Sequence, residues 1–495
     1  VLECSAKGEA LMAYRTGDRQ QLGLLPESIE DYVSPGDPVR AYDAFVEALD
    51  LPQLGIELDS NQVGNAAYDP RAMLKLLVYG YSYGVRSSRK LERECHHNLA
   101  FVWLMAGLKP DHKTIAEFRR KNRIALKQVL RHCARLCIKL DLIAGNVLFV
   151  DGTKIRANAS RYRSHDRAWY EKKLADLDRR IEQLLKDCEA IDRREQQLDS
   201  FVAMQKELTQ SCNLKERVQE ALRGFEGTAR KHVNLTDPDC ALMKSVQGSH
   251  AAYNVQCVVD DKQGLLLHAD AVEDATDVNQ FAWQIKAANV LLDTPCETAC
   301  ADAGYADTAE LEKIDGQGIN VIVPSKRQAL KKPESPFSKS HFAYDKAQDV
   351  YLCPEGRRLR SDGTAKRTGK RHYVITDGKI CHQCRHYGIC TKARKGRKII
   401  RLPNEEMKLK LEAQYEDPAS QAIYARRKTR SEHPFGHIKR NLKVDAFLLR
   451  GCEGARAEIS VLASCFNVAR LISILGVKGL IDRLRGVMRP CFAPA

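Results

Sequence analysis

The 495-residue sequence has no run of about 18 consecutive apolar residues, the length a helix needs to cross a bilayer, so no transmembrane helix is expected from it. Val1–Arg15 carries charges and no apolar stretch of the kind a secretory signal requires, which makes a cytoplasmic location the expectation. No GxxxxGK(S/T) pattern occurs, so a P-loop for a nucleoside triphosphate is not predicted. Disorder throughout is excluded as well, because 44% of the residues are hydrophobic. A chain of this length suits several domains, each with its own core.

Positive charge is abundant. Lys and Arg number 79 against 64 Asp and Glu, a formal net charge of +15. Such a surface releases counterions when it meets a phosphate backbone, which points to a nucleic-acid partner. Composition alone leaves a basic protein of another kind open. The 17 cysteines are an odd number, and without a secretion signal they read as reduced thiols. One group stands apart: Cys353, then Cys381, Cys384 and Cys390 in a C-x2-C-x5-C spacing. Four thiolates of this kind suit a tetrahedral structural Zn2+, and four unrelated thiols are the plain alternative.

Residues 1–140 read as helical. Val39–Leu49 is amphipathic, and Pro70 opens Arg71–Gly84 with an apolar stripe of Met73, Leu74, Leu76, Leu77 and Tyr81. Ser87 or Ser88 is placed to cap Arg89–His97, and Pro110-Asp111 separates Leu99–Ala106 from Thr114–Val129. Short helices joined by tight turns suit a helix-turn-helix-like DNA-binding unit. Arg119, Arg120, Lys121 and Arg123 supply its basic side, unless that side is simply a solvated helix face.

Residues 141–495 mix the two periods. Asn146–Val150 is a buried-strand run that meets Asp151 at its end or within it. Within residues 162–230, Leu174, Ile181 and Cys188 form one heptad line, and Leu177, Leu184, Ile191 and Leu198 a second. Glu216–Phe225 follows, so an antiparallel helical hairpin is expected there. Tyr253–Asp260 and Leu265–Ala269 form a β-hairpin signal. Val278–Leu292 reads as a helix. Thr298–Ala301 and Asn320–Val323 are short strands, the first leading to Asp302. Residues 335–400 form a basic, cysteine-bearing insertion. Helical text returns at Glu405–Glu416, Gln421–Asn441 and Ala457–Ile474.

Asp151 and Asp302, both beside strand ends, and Glu432 on a helix can converge on one side of a mixed sheet. Three carboxylates suit Mg2+ or Mn2+, hard ions that take oxygen ligands and clamp the attacking and leaving oxygens of a phosphoryl transfer. Taken singly, each acid has an ordinary explanation as a turn residue or a solvated helix residue.

Several motifs in order change that balance. The segments "YDPRAMLKLLVYGYSYGVRSSRKLER", "PDHKTIAEFRRKNR", "VDGTKIRANAS", "AAYNVQCVVD", "ADAGYAD" and "EHPFGHIKRNL" resemble the DDE transposases of bacterial insertion sequences, over nearly the whole chain. The resemblance implies an α/β chain: a ribonuclease-H-like mixed-sheet catalytic domain (141–495) behind an N-terminal helical DNA-binding domain (1–140), with the two insertions. It implies Asp151, Asp302 and Glu432 as the metal-binding catalytic triad and extends to the cysteine pattern, in favour of a zinc site. The reaction implied is strand cleavage and transfer at the element's terminal inverted repeats. Its partners are double-stranded DNA and a second copy of the chain.

That family also carries a Tyr–Arg–Glu–Lys signature, with two, three and six residues between its members. Glu432 and Lys439 keep the six-residue gap and Tyr424 and Arg427 the two-residue gap, but four residues separate Arg427 from Glu432. At about 100° per residue, Lys428 lies roughly 40° from Glu432 and Arg427 roughly 140°. Lys428, with Tyr424 and Lys439, is therefore the expected DNA-facing set. Lys154 and Arg156 share a face beyond Asp151 if that segment is extended and are further candidates for the DNA backbone. His250 and Asn254 are candidates to border the site. Three other readings remain: a non-catalytic repressor descended from a transposase, a nuclease that cuts without joining, and a coiled-coil scaffold.

Overall fold

The computed structural model describes residues 28–56, 67–192, 198–228, 230–245, 248–330, 335–366 and 368–488. The Val1–Arg15 reading lies outside them.

Helix starts in the first part follow one local rule. Asp37 precedes Pro38–Glu47 and accepts the Val39 N–H; Asp69 precedes Pro70–Ser82 and accepts the Arg71 N–H. A side-chain acceptor at the N-cap and a proline at the first position suit a helix end that has orphan N–H groups. Asp111 caps His112–Lys121 in the same way through Thr114. Ser87 sits at the cap of Ser88–His97 without a capping bond. The stretch expected as one helix, Thr114–Val129, breaks at Asn122 into His112–Lys121 and Arg123–Leu126, and Val129–Lys139 follows.

Six strands form the main sheet. β1 (Val147–Arg156) is its centre. β2 (Ser164–His165) and β3 (Val233–Asn234) make a separate ribbon at the foot of two long helices, Arg167–Asp192 and Leu198–Arg223. This is the expected hairpin, with a small core of Tyr170, Leu177, Val218, Ala221 and Phe225. Leu198 opens the second helix instead of ending the first; the side chains of Cys188, Ile191 and Leu198 lie outside the described residues. β4 (Ala241–Ser245), β5 (Gly248–Asp260), β6 (Leu266–Val272), β7 (Thr298–Cys300) and β8 (Asn320–Ile322) complete the sheet, in the order β4-β5-β1-β7-β8 with β6 also on β5. β5 runs antiparallel to β1, β4 and β6, whereas β7 is parallel to β1 and β8 to β7.

β9 (Ala343–Asp345), β10 (Val350–Leu352), β11 (Arg358–Thr364), β12 (Arg371–Ile375) and β13 (Lys398–Arg401) form a second, antiparallel sheet over the predicted insertion. Its own small core contains Phe342, Tyr351, Leu359, Tyr373 and Ile399.

The helices before residue 140 do not pack on their own. One apolar core runs from Val33 to Leu484. The last helix, Cys452–Met488, interrupted at Gly476 with φ 69°, packs on Pro38–Glu47, Pro70–Ser82, Val129–Lys139 and β6. The boundary at 140 therefore divides the sequence but not the core. This last helix is long and apolar enough for a bilayer, yet Ala455, Ile459, Leu462, Phe466 and Leu471 are buried inside the protein.

One buried polar residue ties the first helices to one another, and a second ties them to the rest. Arg119, expected at a DNA surface, is 6% exposed and donates to the Tyr81 hydroxyl and the Arg86 carbonyl, and also to Ser88. It is a structural residue because its fork satisfies groups on two elements at once. The Glu458 carboxylate, fully buried, accepts the N–H groups of Leu448 (2.7 Å) and Leu449 and faces Arg86 at 3.4 Å. Glu458→Ala is expected to cost about 3–5 kcal/mol, since it leaves Arg86 uncompensated in the core. Glu458→Gln, which keeps the acceptor oxygen, should cost less. Urea unfolding of both variants checks this ranking.

Candidate active site at the sheet centre

Asp151 and Asp302 meet because of strand register. Phe149 on β1 pairs with Cys300 on β7 in parallel, so the residues two positions on stand side by side where β7 ends. Asp302 there caps a short turn, Ala303–Tyr305, and accepts the Gly304 N–H at 2.7 Å. Asp151 lies within its strand, not at the end of it: pairing with β5 continues from Leu148 to Arg156. The expected strand Asn146–Val150 thus covers only the first four residues of the real one, Val147–Arg156.

A helix, Pro418–Gly436, covers this point. Asp417 and Pro418 start it by the same cap-and-proline rule. Its inward side brings the Ser431 hydroxyl to Asp151 Oδ2 at 2.8 Å and Arg427 Nη1 to the same oxygen at 3.5 Å. Burial pushes the Asp151 carboxyl up, and Asp302's charge adds to that. Ser431, Arg427 and the Gly152 N–H oppose it. Pro434 lies inside the helix, and a π turn, His437–Asn441, follows. A proline lacks the N–H of a helical bond, and a wide turn re-aims what comes next. Lys439 emerges there, with its ammonium donating to Thr153. Thr153 is two residues beyond Asp151 and so on the same face of β1. Burial lowers the Lys439 pKa.

The acids do not converge as expected. Glu432 is exposed, and among the described residues no group of three or more His, Cys, Asp and Glu is gathered as a metal set. The reason is rotational: Ser431 and Arg427, four apart, form the inward stripe, and residue 432 is about 100° further round. The choice of Lys428 over Arg427 rested on sharing a face with Glu432, and that face is the outer one. Lys428 is exposed with it, while Arg427 is the cation beside Asp151. Tyr424 is packed, edge-on to Tyr415 and beneath the Arg427 guanidinium.

The carboxylate that does stand at the aspartates is Asp277, which sequence reasoning missed. Its Oδ1 accepts from Asn254 Nδ2 (2.9 Å) and Gln256 Nε2 (2.8 Å), and Gln256 Oε1 accepts the Tyr305 hydroxyl at 2.5 Å. Gly152 makes room for them. A Cβ there would sit 2.5 Å from Gln256 Nε2, 2.6 Å from Asp277 Oδ1 and 3.1 Å from the Tyr305 hydroxyl oxygen. Nothing in "VEDATDVNQ" marks Asp277; the one usable signal was a glycine inside a strand, which marks close approach.

Against this geometry stand the comparisons. A family described as "Transposase domain (DUF772)" matches residues 27–121, and one described as "Transposase DDE domain" matches residues 352–472. Both models are of transposases, and together they support a DDE transposase. No curated protein matches it. Among solved structures, a piggyBac transposase synaptic complex with hairpin DNA is similar at 9% identity, covering 93% of this chain and 87% of that one, with a TM-score of 0.25. At that score the likeness decides nothing further.

Around the site, the chain presents cations to solvent. Lys154 and Arg156 are exposed on β1, as the extended reading expected, with Lys154 Nζ donating to the Lys244 carbonyl at 3.0 Å. Arg120 is exposed and paired to Glu117; Arg123 is exposed. Beyond Arg156, an open cavity of about 730 Å3 is lined by Arg86, Arg163, Lys443 and Arg450, with Asp445. In the second sheet, Cys353, Cys381, Cys384 and Cys390 line one narrow cavity with His386. They are free thiols, and the N–H groups of Arg357 and Arg397 point at Cys353 Sγ (3.3 Å) and Cys381 Sγ (3.4 Å).

Gly152→Ala should destabilise the protein by about 1–3 kcal/mol, the usual cost of forcing extra volume into a packed site. A urea midpoint equal to the parent's would refute the close approach.

Proposed function

We propose that this chain is the transposase of a bacterial insertion sequence, which binds the element's terminal inverted repeats and performs metal-dependent strand cleavage and strand transfer. The observation that carries the reading is the side-by-side placement of Asp151 and Asp302 on parallel strands. The strand order supports a ribonuclease-H-like catalytic domain: a three-strand antiparallel run, β1-β5-β6, followed by two parallel strands, β7 and β8, on the other side of β1.

Asp151 and Asp302 offer the hard carboxylate oxygens that Mg2+ or Mn2+ takes, and burial leaves Asp151 with charge to be compensated. The two aspartates fit such an ion; Glu432, the third acid of the family pattern, faces solvent and is not placed beside them. When bound, the ion polarises a phosphoryl oxygen and activates the attacking oxygen. Lys439 and Arg427, both facing β1, position and neutralise the phosphate next to the aspartates. Lys154, Arg156, Lys428, Arg120 and Arg123, with the Arg86–Arg163–Lys443–Arg450 cavity, track the DNA backbone, and the helices before residue 140 form the DNA-binding unit. The chain works as a homodimer, since two element ends must be joined together, and in the bacterial cytoplasm at the nucleoid.

A second reading, a repressor descended from a transposase, is favoured by one observation: Ser431 and Arg427 hold Asp151 while Glu432 faces solvent. Labelled DNA carrying the flanking inverted repeats, incubated with Mg2+, separates the two. Specific cleavage and joining by the wild type, lowered at least about 100-fold by Asp302→Asn, is expected. Specific binding without cleavage by either protein would establish the repressor instead.

The proposal includes a structural Zn2+ held by Cys353, Cys381, Cys384 and Cys390. The thiols share one cavity, though not yet closed to a coordination set, and two backbone N–H groups already face their sulfurs. Four thiolates leave no open position, so this metal supports the sheet and takes no part in chemistry. Metal analysis of the purified protein should find about one zinc per chain, and Cys384→Ser should lose it and melt earlier. Zinc-free protein with the same melting curve as the variant would refute it.

A further inference from the structure

We infer that Asp277 is a positioning residue of the aspartate pair, holding the Asp302 turn against β1 through Gln256 and Tyr305. The inference rests on the proposed active site and adds a residue to it from a different strand connection.

The hydrogen bonds run in one direction. Tyr305, three residues after Asp302, donates to Gln256; Gln256 donates to Asp277; Asn254 donates to the same Asp277 oxygen. Gln256 and Asn254 are 0% and 1% exposed, and Tyr305 is 1% exposed. Two buried amides need an acceptor, and a carboxylate gives the stronger, charge-assisted bond. Gln256 is also the ladder partner of Gly152, the residue after Asp151. One carboxylate therefore joins β5, the antiparallel neighbour of the Asp151 strand, to the turn that carries Asp302, and packs against β1 at Gly152. Asp277 Oδ2 points at the same turn. It lies 3.5 Å from where a Gly304 Cβ would sit, and Asp302 Oδ1 lies 2.8 Å from that point. Of the two Asp277 oxygens, Oδ1 takes both amide donors, and Oδ2 faces Asp302.

A positioning role predicts a graded pattern that simple packing does not. Mn2+ binding to the full chain, followed by the electron paramagnetic resonance signal of free Mn2+, is the direct readout. Duplex binding by the same proteins is the control. Asp302→Asn should abolish the Mn2+ site. Asp277→Ala should weaken Mn2+ at least about 10-fold with duplex affinity unchanged. Asp277→Asn keeps the acceptor oxygen and should stay within about 3-fold of the wild type. Tyr305→Phe, which cuts the chain at its other end without adding volume, should fall between them. Wild-type affinity in Asp277→Ala overturns the inference. Asp277→Asn as weak as Asp277→Ala also overturns it, since the charge would then act on the ion directly. If Asp277→Ala does not fold, Asp277→Asn and Tyr305→Phe decide: equal, wild-type affinity in both overturns it. A wild type that binds no Mn2+ removes the proposed metal site itself, and the positioning role with it.

Discussion

The parallel pairing of β1 with β7 is the constraint on which the site depends. β1 is a seam: antiparallel to β5 on one edge and parallel to β7 on the other. The antiparallel edge fixes which residues face each side, because a slip of one position would turn every side chain over. The parallel edge sets Asp302 level with Asp151. Neither edge alone would do this, since β5 carries no partner acid opposite Asp151 (Cys257 is there) and β7 is only three residues long.

With two carboxylates brought together at a half-buried point, charge becomes the second constraint. Asp151 is answered by a hydroxyl and a guanidinium from the covering helix, and its pKa is still raised by burial. Packing places Arg427: its ring contact with Tyr424 and its position on the inward stripe hold it where a carboxylate needs it. Pro434 and the π turn then free the chain from regular helix geometry just before Lys439, which reaches Thr153 on the Asp151 face of β1. A straight helix would place residue 439 elsewhere around the axis.

Periodicity made much of this legible. The helical hairpin, the β5–β6 signal, the short strand before Asp302 and the proline start of Pro70–Ser82 are local patterns, and they appear where local rules put them. What sequence could not supply was facing. Arg119 looks like any surface arginine on a basic helix until the Tyr81 hydroxyl and the Arg86 carbonyl are brought to it across the fold. Lys428 and Arg427 are neighbours, and choosing between them required knowing which side of the helix meets β1. The choice was anchored on Glu432, and the inward residue is Ser431. Asp277 was invisible for the same reason: its partners Asn254 and Gln256 lie on a different strand, more than 20 residues away. The core boundary failed because a helix at the end of the chain completes the bundle at its start.

That last feature links the two ends of the chain through one short segment. Residues 443–450 leave the site helix and lie along the end of β1: the Phe447 N–H donates to the Arg156 carbonyl, and Asn158 Nδ2 donates to the Leu448 carbonyl at 2.7 Å. The same segment is gripped from the opposite side, where the buried Glu458 takes the Leu448 and Leu449 N–H groups and faces Arg86. Arg86 belongs to the turn before Ser88–His97, and its carbonyl is held by Arg119. The early helices, the last helix, the exit of the site helix and the Asp151 strand therefore share one set of polar bonds, buried at Arg119, Arg86 and Glu458 and open to solvent at Asn158. Removing any member costs the others a partner in a low-dielectric core. Such a set fixes the early helices relative to β1 more closely than apolar contacts, which slide, because each bond has a narrow geometry that satisfies it.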